Sequence, residues 1–406
     1  MTSMQGYRGT RDFLPNDWRI QQYLFKVWRE TSESYGFEEY EAPIIEPVEL
    51  YIKKSGEEIK EQLFWFTDKG GREVCLRPEL TQQLARYITQ YGKSLKKPLK
   101  WFSIPRLFRY ERPQKGRYRE FFQYNADIIS STIEGTAEMI NLCVDIMKQF
   151  GLKSTDFSIK INDRSIINEL IERFNIKEPN NFYSLLDKRY KLKPKVFETE
   201  LKKINDNKDL IRILKLKNAD CLAKLKQLGF NTDRTDKVLS SCDQKFIEFD
   251  LSIVRGLDYY TGIVWEAYDR EGKYRSLMGG GEYENLISVF GGPDTPCVGV
   301  GISDGVLPII LADKGLLPNF KKDGSFIAVI GDLFKPANKI ARQLRSKGLS
   351  VYVNNNGMSV GKQLSLASSL GYNKAIIIGE RDLKEGKVTI KDLVSGKERK
   401  VDAKNL

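Results

Sequence analysis

The stretch LLPNFKKDG (316–324) divides this chain into two residue patterns. Downstream of it, residues 325–331, 349–354 and 374–379 read as short apolar strands, and 336–347 and 360–370 as amphipathic helices between them. Strand–helix alternation of this kind predicts a small α/β domain with a largely parallel sheet. Upstream, residues 99–110 and 121–129 read as two strands joined by the charged ten-residue loop ERPQKGRYRE (111–120), and strands resume at 246–254, 263–269 and 274–278. Residues 165–240, set between these strand-rich parts, are lysine-rich, helical in period and free of glycine before Gly229, which predicts a helical insertion. A chain of 406 residues, 41% of them hydrophobic, also exceeds what a single core usually serves, so several domains are expected.

Shorter elements follow the same periodicities. Ile20, Leu24, Val27 and Trp28 share one face of a helix over 17–35, with Asn16 as its expected N-cap and Gly36 as its stop. EAPII (41–45) reads as a strand whose proline suits an edge or an interface. Residues 64–76 read as a hairpin turned at Asp68-Lys69-Gly70-Gly71, and 80–91 and 133–150 as helices.

Histidine is absent from the chain. Its absence excludes a Ser-His-Asp triad, a Cys-His nucleophile pair, a histidine general base and any metal site with imidazole ligands. Chemistry here must use Arg, Lys, carboxylates, Tyr, backbone groups or a bound ion. The five cysteines (Cys75, Cys143, Cys221, Cys242, Cys297) are scattered, with no C-x-x-C pair. That spacing argues against a disulfide framework or a protein-ligated zinc, and for a reducing compartment. The opening MTSMQGYRGTRDFLP lacks the apolar core of a signal peptide. No apolar run approaches the roughly 18 residues of a membrane span, so a cytoplasmic protein without a membrane partner is expected.

The formal charge is +12, and it is unevenly placed. Residues 153–240 carry 20 basic and 13 acidic side chains and residues 324–406 carry 15 and 7, whereas the remainder is net −3. Positive charge confined to two modules favours a polyanion held across them over a uniformly solvated surface, because counterion release needs local charge density.

Four segments could carry chemistry. In FRYERPQKGRYREFFQYNAD (108–127), Arg109 and Glu111 are two apart on a strand and so face one way, as do Gln123, Asn125 and Asp127. Arginine with a carboxylate on one sheet face suits a nucleotide, whereas the basic loop alone would equally suit solvated surface. VRGLDYYTGIVWEAY (254–268) clusters Arg255, Asp258, Tyr259 and Tyr260 between apolar strands, as a site or as a turn with interface tyrosines. LMGGGEYENL (277–286) permits close approach of backbone to a ligand, or simply ends a strand. LRPELT (76–81) places Glu79 and Thr81 after a proline, where an ordinary helix could begin.

Taken in this order, the four segments resemble histidyl-tRNA synthetase, a class II aminoacyl-tRNA synthetase, from RGTRDFLP (8–15) to IIIGERDLKEGKVTIKDL (376–393). RGLDYYTG (255–262) is similar to the family's histidine-binding signature, FRYER…GRYREF to class II motif 2, and Pro43 fits motif 1 at a dimer interface. The resemblance implies an α/β protein, with an α+β catalytic core: a class II antiparallel sheet with flanking helices, a helical insertion, and a C-terminal α/β anticodon-binding domain. The implied domains are 1–164 and 241–320 for the core, 165–240 for the insertion and 324–406 for the anticodon-binding domain.

The implied reaction activates L-histidine with ATP and Mg²⁺ to histidyl-adenylate, then transfers the histidyl group to the 3′ end of tRNA(His), in a homodimer formed through motif 1. The contrasting possibilities are a catalytically inactive paralogue serving as a regulatory subunit of ATP phosphoribosyltransferase and a noncatalytic RNA-sensing module. Paralogues of the first kind lack the C-terminal domain and erode the motifs, whereas this chain keeps residues 324–406, Arg109, Gln123 and Arg255.

By resemblance, Glu79, Leu80 and Thr81 belong to the amino-acid site, where Glu79 and Thr81 hold the α-ammonium and Gln123 contacts the bound histidine. Arg109 grips its carboxylate and the ATP α-phosphate, and Arg255 stabilises the charge that develops there, making these two the catalytic pair. Asp127 and Tyr260 read the imidazole, beside Tyr259 and with Gly280 lining the pocket. Arg109, Glu111, Arg117 and Arg119 meet ATP, and Gln114 and Lys115 the tRNA acceptor end. Two positions depart from the family pattern: Val306 stands where motif 3 carries an arginine, and Asp127 where many relatives have glutamate.

Overall fold

A computed structural model describes residues 4–55, 57–190, 192–216, 218–255, 260–320, 324–354 and 356–406. The chain forms two compact units, 1–317 and 318–406. In the first, the strands in chain order are β1 (Glu38–Glu39), β2 (Ile45–Pro47), β3 (Phe64–Thr67), β4 (Glu73–Leu76), β5 (Leu99–Ser103), β6 (Arg106–Phe108) and β7 (Glu120–Ile129). There follow β8 (Phe157–Asp163), β9 (Ile247–Phe249), β10 (Ile263–Asp269), β11 (Met278–Tyr283) and β12 (Cys297–Ser303). The main sheet has the order β1-β5-β7-β12-β11-β10-β8-β9, with β6 also paired to β7. Its centre is antiparallel, and the β1–β5 and β8–β9 pairs at its ends are parallel.

One face of this sheet is core and the other is free to carry chemistry, because side chains alternate along each strand. Tyr124, Ala126, Ile128, Trp265, Val298, Val300 and Ile302 pack with Leu24, Trp28, Met139, Ile140 and Cys143 from helices Pro15–Ser34 and Ile133–Gln149. Gln123, Asn125 and Asp127 point the other way. The first helix starts at Pro15, one residue earlier than its expected cap: proline's fixed φ suits the first turn, so Asn16 lies inside the helix. Gly36, at φ +76°, ends it as expected.

The smaller sheet, β2-β4-β3, keeps the expected hairpin but only Ile45 of the expected 41–45 strand. Among the described residues between 164 and 240 there are six helices: Arg164–Arg173, Pro179–Asp187, Pro194–Ile204, Lys208–Lys215, Asn218–Gln227 and Asp233–Ser240. They close around a separate apolar cluster that includes Ile166, Leu170, Phe182, Leu186, Leu210 and Leu225.

The second unit contains β13 (Ser325–Val329), β14 (Val351–Val353), β15 (Lys374–Ile378), β16 (Lys387–Asp392) and β17 (Glu398–Asp402) in the order β14-β13-β15-β16-β17. β13 pairs in parallel with β14 and β15, as the alternation predicted, while β16 and β17 add an antiparallel edge. Ile327 and Val329 face helix Phe334–Ser346, and Phe326 and Ala328 face helix Val360–Ser369, so both faces of the sheet are covered.

Candidate active site

The free face of the main sheet is floored by glycine. Across the β11–β12 pair, Gly279 lies opposite Gly301 and Gly281 opposite Gly299, so four positions on one face lack side chains. A Cβ on Gly279 would collide with the Arg255 guanidinium, and one on Gly281 would lie 2.6 Å from Cδ1 of Tyr260. On Gly301 it would lie 2.9 Å from Nε2 of Gln123, and on Gly299 it would collide with the Asp127 carboxylate. These glycines therefore make room for the polar side chains that flank them. Contrary to the sequence expectation, the triplet runs inside β11 instead of ending a strand.

Two adjoining cavities occupy this face. The first, about 500 Å³, is lined by Glu79, Thr81, Arg109, Gln123, Asn125, Asp127, Arg255, Tyr260 and Tyr283, with Pro78 and glycines 279, 299 and 301. The second, about 320 Å³, is lined by Arg109, Glu111, Arg117, Tyr118, Phe121, Gln123, Arg255, Glu266, Arg275 and Val306, among others. Arg109, Gln123, Arg255, Gly279 and Gly301 belong to both. The two arginines thus stand where the cavities meet.

Each arginine is fixed by neighbours. Arg109 donates from Nε to the Pro78 carbonyl at 2.9 Å and lies 5.3 Å from the centre of the Phe121 ring. Arg255 reaches the Trp265 carbonyl at 3.4 Å and Glu266 at 3.6 Å, and its backbone holds φ +49°. A non-glycine residue in the left-handed region is strained, and here it accompanies a side chain aimed into the site. In the second cavity Arg117 pairs with Glu111. Burial pushes the Glu111 carboxyl up, but the hydrogen bond from Arg117 and the charges of Arg117, Arg109 and Arg275 outweigh it and hold the group below its ordinary value.

At the far end of the first cavity, Asp127 accepts a 2.7 Å hydrogen bond from the Tyr283 hydroxyl. Its burial pushes the carboxyl up to about 7, with the Tyr283 bond pulling back only part of the way. Gln123 is oriented by a 2.6 Å bond from its Nε2 to Asn125 Oδ1. Together the cavity offers carboxylates, amides, tyrosine hydroxyls and two guanidinium groups: recognition groups for a zwitterion with a polar side chain, beside a cationic cavity suited to phosphates.

Glu79, Thr81, Arg109, Gln123, Asp127, Arg255 and Tyr260 are thus brought together, as are Arg109, Glu111 and Arg117. Three expectations need correction. Gly280 faces away: strand alternation turns it toward the buried Trp265 ring and the Gly299 carbonyl, and Gly279 lines the cavities in its place. Leu80 is buried at the start of helix Thr81–Tyr91, while Glu79 and Thr81 on either side of it line the first cavity. Arg119 lines neither cavity, because its guanidinium bonds the Tyr7 hydroxyl at 2.8 Å and stacks 4.1 Å from the Tyr110 ring centre.

Gln114 and Lys115 are exposed at the hairpin turn, outside both cavities. Tyr259, like Asp258, lies outside the described residues. Tyr283 and the alternate glycines of VGVG (298–301) have only a spacing of two as their sequence signal, which sets each run on one face of its own strand, and the β11–β12 register puts the two faces together.

A family model described as Histidyl-tRNA synthetase matches residues 9–303, and one described as Anticodon binding domain matches 325–406. Among similar curated proteins, the histidine–tRNA ligase of Opitutus terrae is 38% identical, with 99% of this chain and 96% of that protein covered. That of Thermoplasma volcanium is 36% identical, over 96% of this chain and 94% of the relative. Among solved structures, histidyl-tRNA synthetase from Nostoc sp. PCC 7120 superposes with a TM-score of 0.85 at 28% identity, covering 100% of this chain and 98% of that one.

Proposed function

We infer how the two cavities share one reaction from a single premise: the chain belongs to the histidyl-tRNA synthetase family. Its activity is that of a histidine–tRNA ligase, in which L-histidine and ATP give histidyl-adenylate and pyrophosphate, and the histidyl group then passes to the 3′ end of tRNA(His). The first cavity takes histidine and the second takes ATP. The observation that carries this division is that Arg109 and Arg255 line both cavities. At that junction a carboxylate oxygen of histidine attacks the α-phosphorus and the bond to the pyrophosphate oxygen breaks. Guanidinium groups fixed there stabilise the negative charge that builds on the α-phosphate without reorganising, and Arg109 also holds the carboxylate.

The remaining roles follow from position. Glu79 and Thr81 accept hydrogen bonds from the α-ammonium, and Gln123 contacts the bound amino acid. Asp127 accepts from one imidazole N–H while Tyr260 meets the other ring nitrogen. A ligand lacking those nitrogens would leave the buried Asp127 carboxylate with only the Tyr283 hydroxyl as donor, which is the source of selectivity. Glu111 and Arg117 line the ATP cavity. Phe121, Tyr118 and Val306 give it apolar surface for the base.

Mg²⁺ enters with ATP. Among the described residues, Glu111 and Glu266 are the carboxylates of this cavity, and no group of three or more metal-ligating side chains occurs. One or two carboxylates fit an ion held chiefly by substrate phosphates and water. Bound there, it would neutralise charge on the phosphates.

The basic 165–240 insertion and the 324–406 unit, with Gln114 and Lys115 at the hairpin turn, are assigned to tRNA contacts. The exposed apolar side chains Ile44, Ile45, Trp65 and Phe66, beside Pro43, are assigned to a homodimer interface. No helix among the described residues is long and apolar enough to cross a membrane, and a cytoplasmic location is proposed. The regulatory-subunit alternative is not favoured, since the arginines and the anticodon-binding match both remain.

Arg255→Ala tests the central assignment. Histidine-dependent ATP–pyrophosphate exchange should fall about 10²–10³-fold, the loss expected for one fixed charge-stabilising donor, with the thermal midpoint unchanged. A near-normal rate would show that the phosphate-stabilising arginine is another residue.

A further inference from the structure

Arg275 lines the ATP cavity yet has no part in the assignments above. It is exposed, three residues before β11, and makes no hydrogen bond, ion pair or ring contact with any described residue. Every other arginine of that cavity is engaged: Arg109 with the Pro78 carbonyl, Arg117 with Glu111, Arg255 with the Trp265 carbonyl. Its charge nevertheless reaches Glu111, so it stands close to the cationic end of the cavity.

Val306 is the second observation. By the resemblance it stands where motif 3 carries an arginine, and it is 7% exposed at the start of helix Leu307–Asp313. The hairpin turn presses directly on it: a Cβ on Gly116 would lie 2.9 Å from Cγ2 of Val306. A short apolar side chain fits that gap, so position 306 itself brings no cation to the cavity.

We propose that Arg275 supplies, from the β11 side, the guanidinium that binds the β- and γ-phosphates of ATP. The inference rests on the second cavity being the nucleotide site. With the α-phosphate at the Arg109–Arg255 junction, residues lining only the second cavity face the rest of the nucleotide. Among these, Phe121, Tyr118, Leu277 and Val306 suit the base, and Arg117 and Arg275 are the cations left for the phosphate tail. Arg117 is neutralised by Glu111, which makes Arg275 the cation with a charge to give.

The test uses the full chain with Arg275→Ala and Arg275→Lys. Exchange kinetics give KM and kcat for ATP and for histidine, and calorimetry gives the affinity for a histidyl-sulfamoyl adenosine. That analogue keeps the base, the ribose and a mimic of the α-phosphate but has no β- or γ-phosphate. For Arg275→Ala, kcat/KM for ATP should fall about 10–100-fold, the worth of a hydrogen bond between charged groups. KM for histidine and analogue affinity should stay within about twofold, and lysine should recover part of the loss.

Unchanged ATP kinetics would overturn the proposal. So would an equal loss of analogue affinity, which would place Arg275 against the adenosine. If the unsubstituted protein binds the analogue without competition from ATP, the nucleotide reading itself fails, and this proposal with it.

Discussion

A methyl group at position 279 should silence the enzyme without unfolding it. Gly279 has no left-handed φ, so alanine is compatible with its backbone, and the three nearest atoms a Cβ would meet all belong to Arg255. To reach ordinary contact the guanidinium must withdraw by about 2 Å, and it is the end of a flexible side chain, so it can. Misplacement by 1 Å at a reacting centre costs about 10²-fold and removal of a charge-stabilising donor about 10²–10³-fold. Gly279→Ala should therefore lower histidine-dependent pyrophosphate exchange by a factor in that range, about 3–4 kcal/mol of barrier, with little change in thermal midpoint.

Gly280→Ala is the control. Its methyl would meet the wholly buried Trp265 ring and the Gly299 carbonyl oxygen at 2.6 Å, neither of which can retreat. Overpacking of that kind costs about 1–3 kcal/mol of stability. Neighbouring glycines on opposite faces should thus fail in opposite ways, one in rate and one in melting. If Gly279→Ala exchanges at more than a third of the normal rate, Arg255 does not act from the position it holds here.

Two further outcomes follow from buried titratable groups. Asp127 titrates near 7 in the folded chain against 3.8 unfolded, so its proton is held more tightly in the native state. The stability it contributes is complete below about pH 4 and is lost as pH rises to about 7. As the acceptor of an imidazole N–H it must be ionised, so histidine affinity measured by calorimetry should rise up to about pH 7 and then level. Asp127→Asn should remove that limb, leaving the titration of free imidazole near 6.5, and an unchanged profile would show that Asp127 does not face the ring. All five cysteines are buried, with their thiols pushed up to about 12 by burial. A thiol-specific reagent at pH 8 should label none of them in the native protein and all five after denaturation, and rapid native labelling of even one would contradict this packing.

Periodicity made much of the scaffold legible. β10 occupies the expected 263–269, and the helices expected over 80–91 and 133–150 differ from those observed by a residue at one end. The face shared by Gln123, Asn125 and Asp127 was readable because a spacing of two on a strand admits one geometry. Proline and glycine caused most of the departures. Pro105 divides the expected 99–110 strand into β5 and β6. The 246–254 strand shrinks to β9, three residues long, before the chain turns toward Arg255.

The site was harder to read than the scaffold. The glycine triplet signals a strand end by local propensity, yet tertiary packing gives it the opposite role. Arg255, Tyr260 and Trp265 fill the space that absent side chains leave on the two faces of β11. Only the pairing of β11 with β12 shows which glycine faces the ligand, and pairing is not written in either strand alone. Arg119 was equally opaque, because the Tyr7 and Tyr110 rings that hold it come from distant or neighbouring segments with no pattern in common.

The most direct test is ATP–pyrophosphate exchange by the purified chain with Mg²⁺, comparing histidine with the other amino acids one at a time. Exchange should depend on histidine and be at least about 10²-fold slower with any amino acid whose side chain cannot satisfy Asp127 and Tyr260 together. No exchange at saturating histidine and ATP, or exchange indifferent to the amino acid, would contradict the assignment of these two cavities.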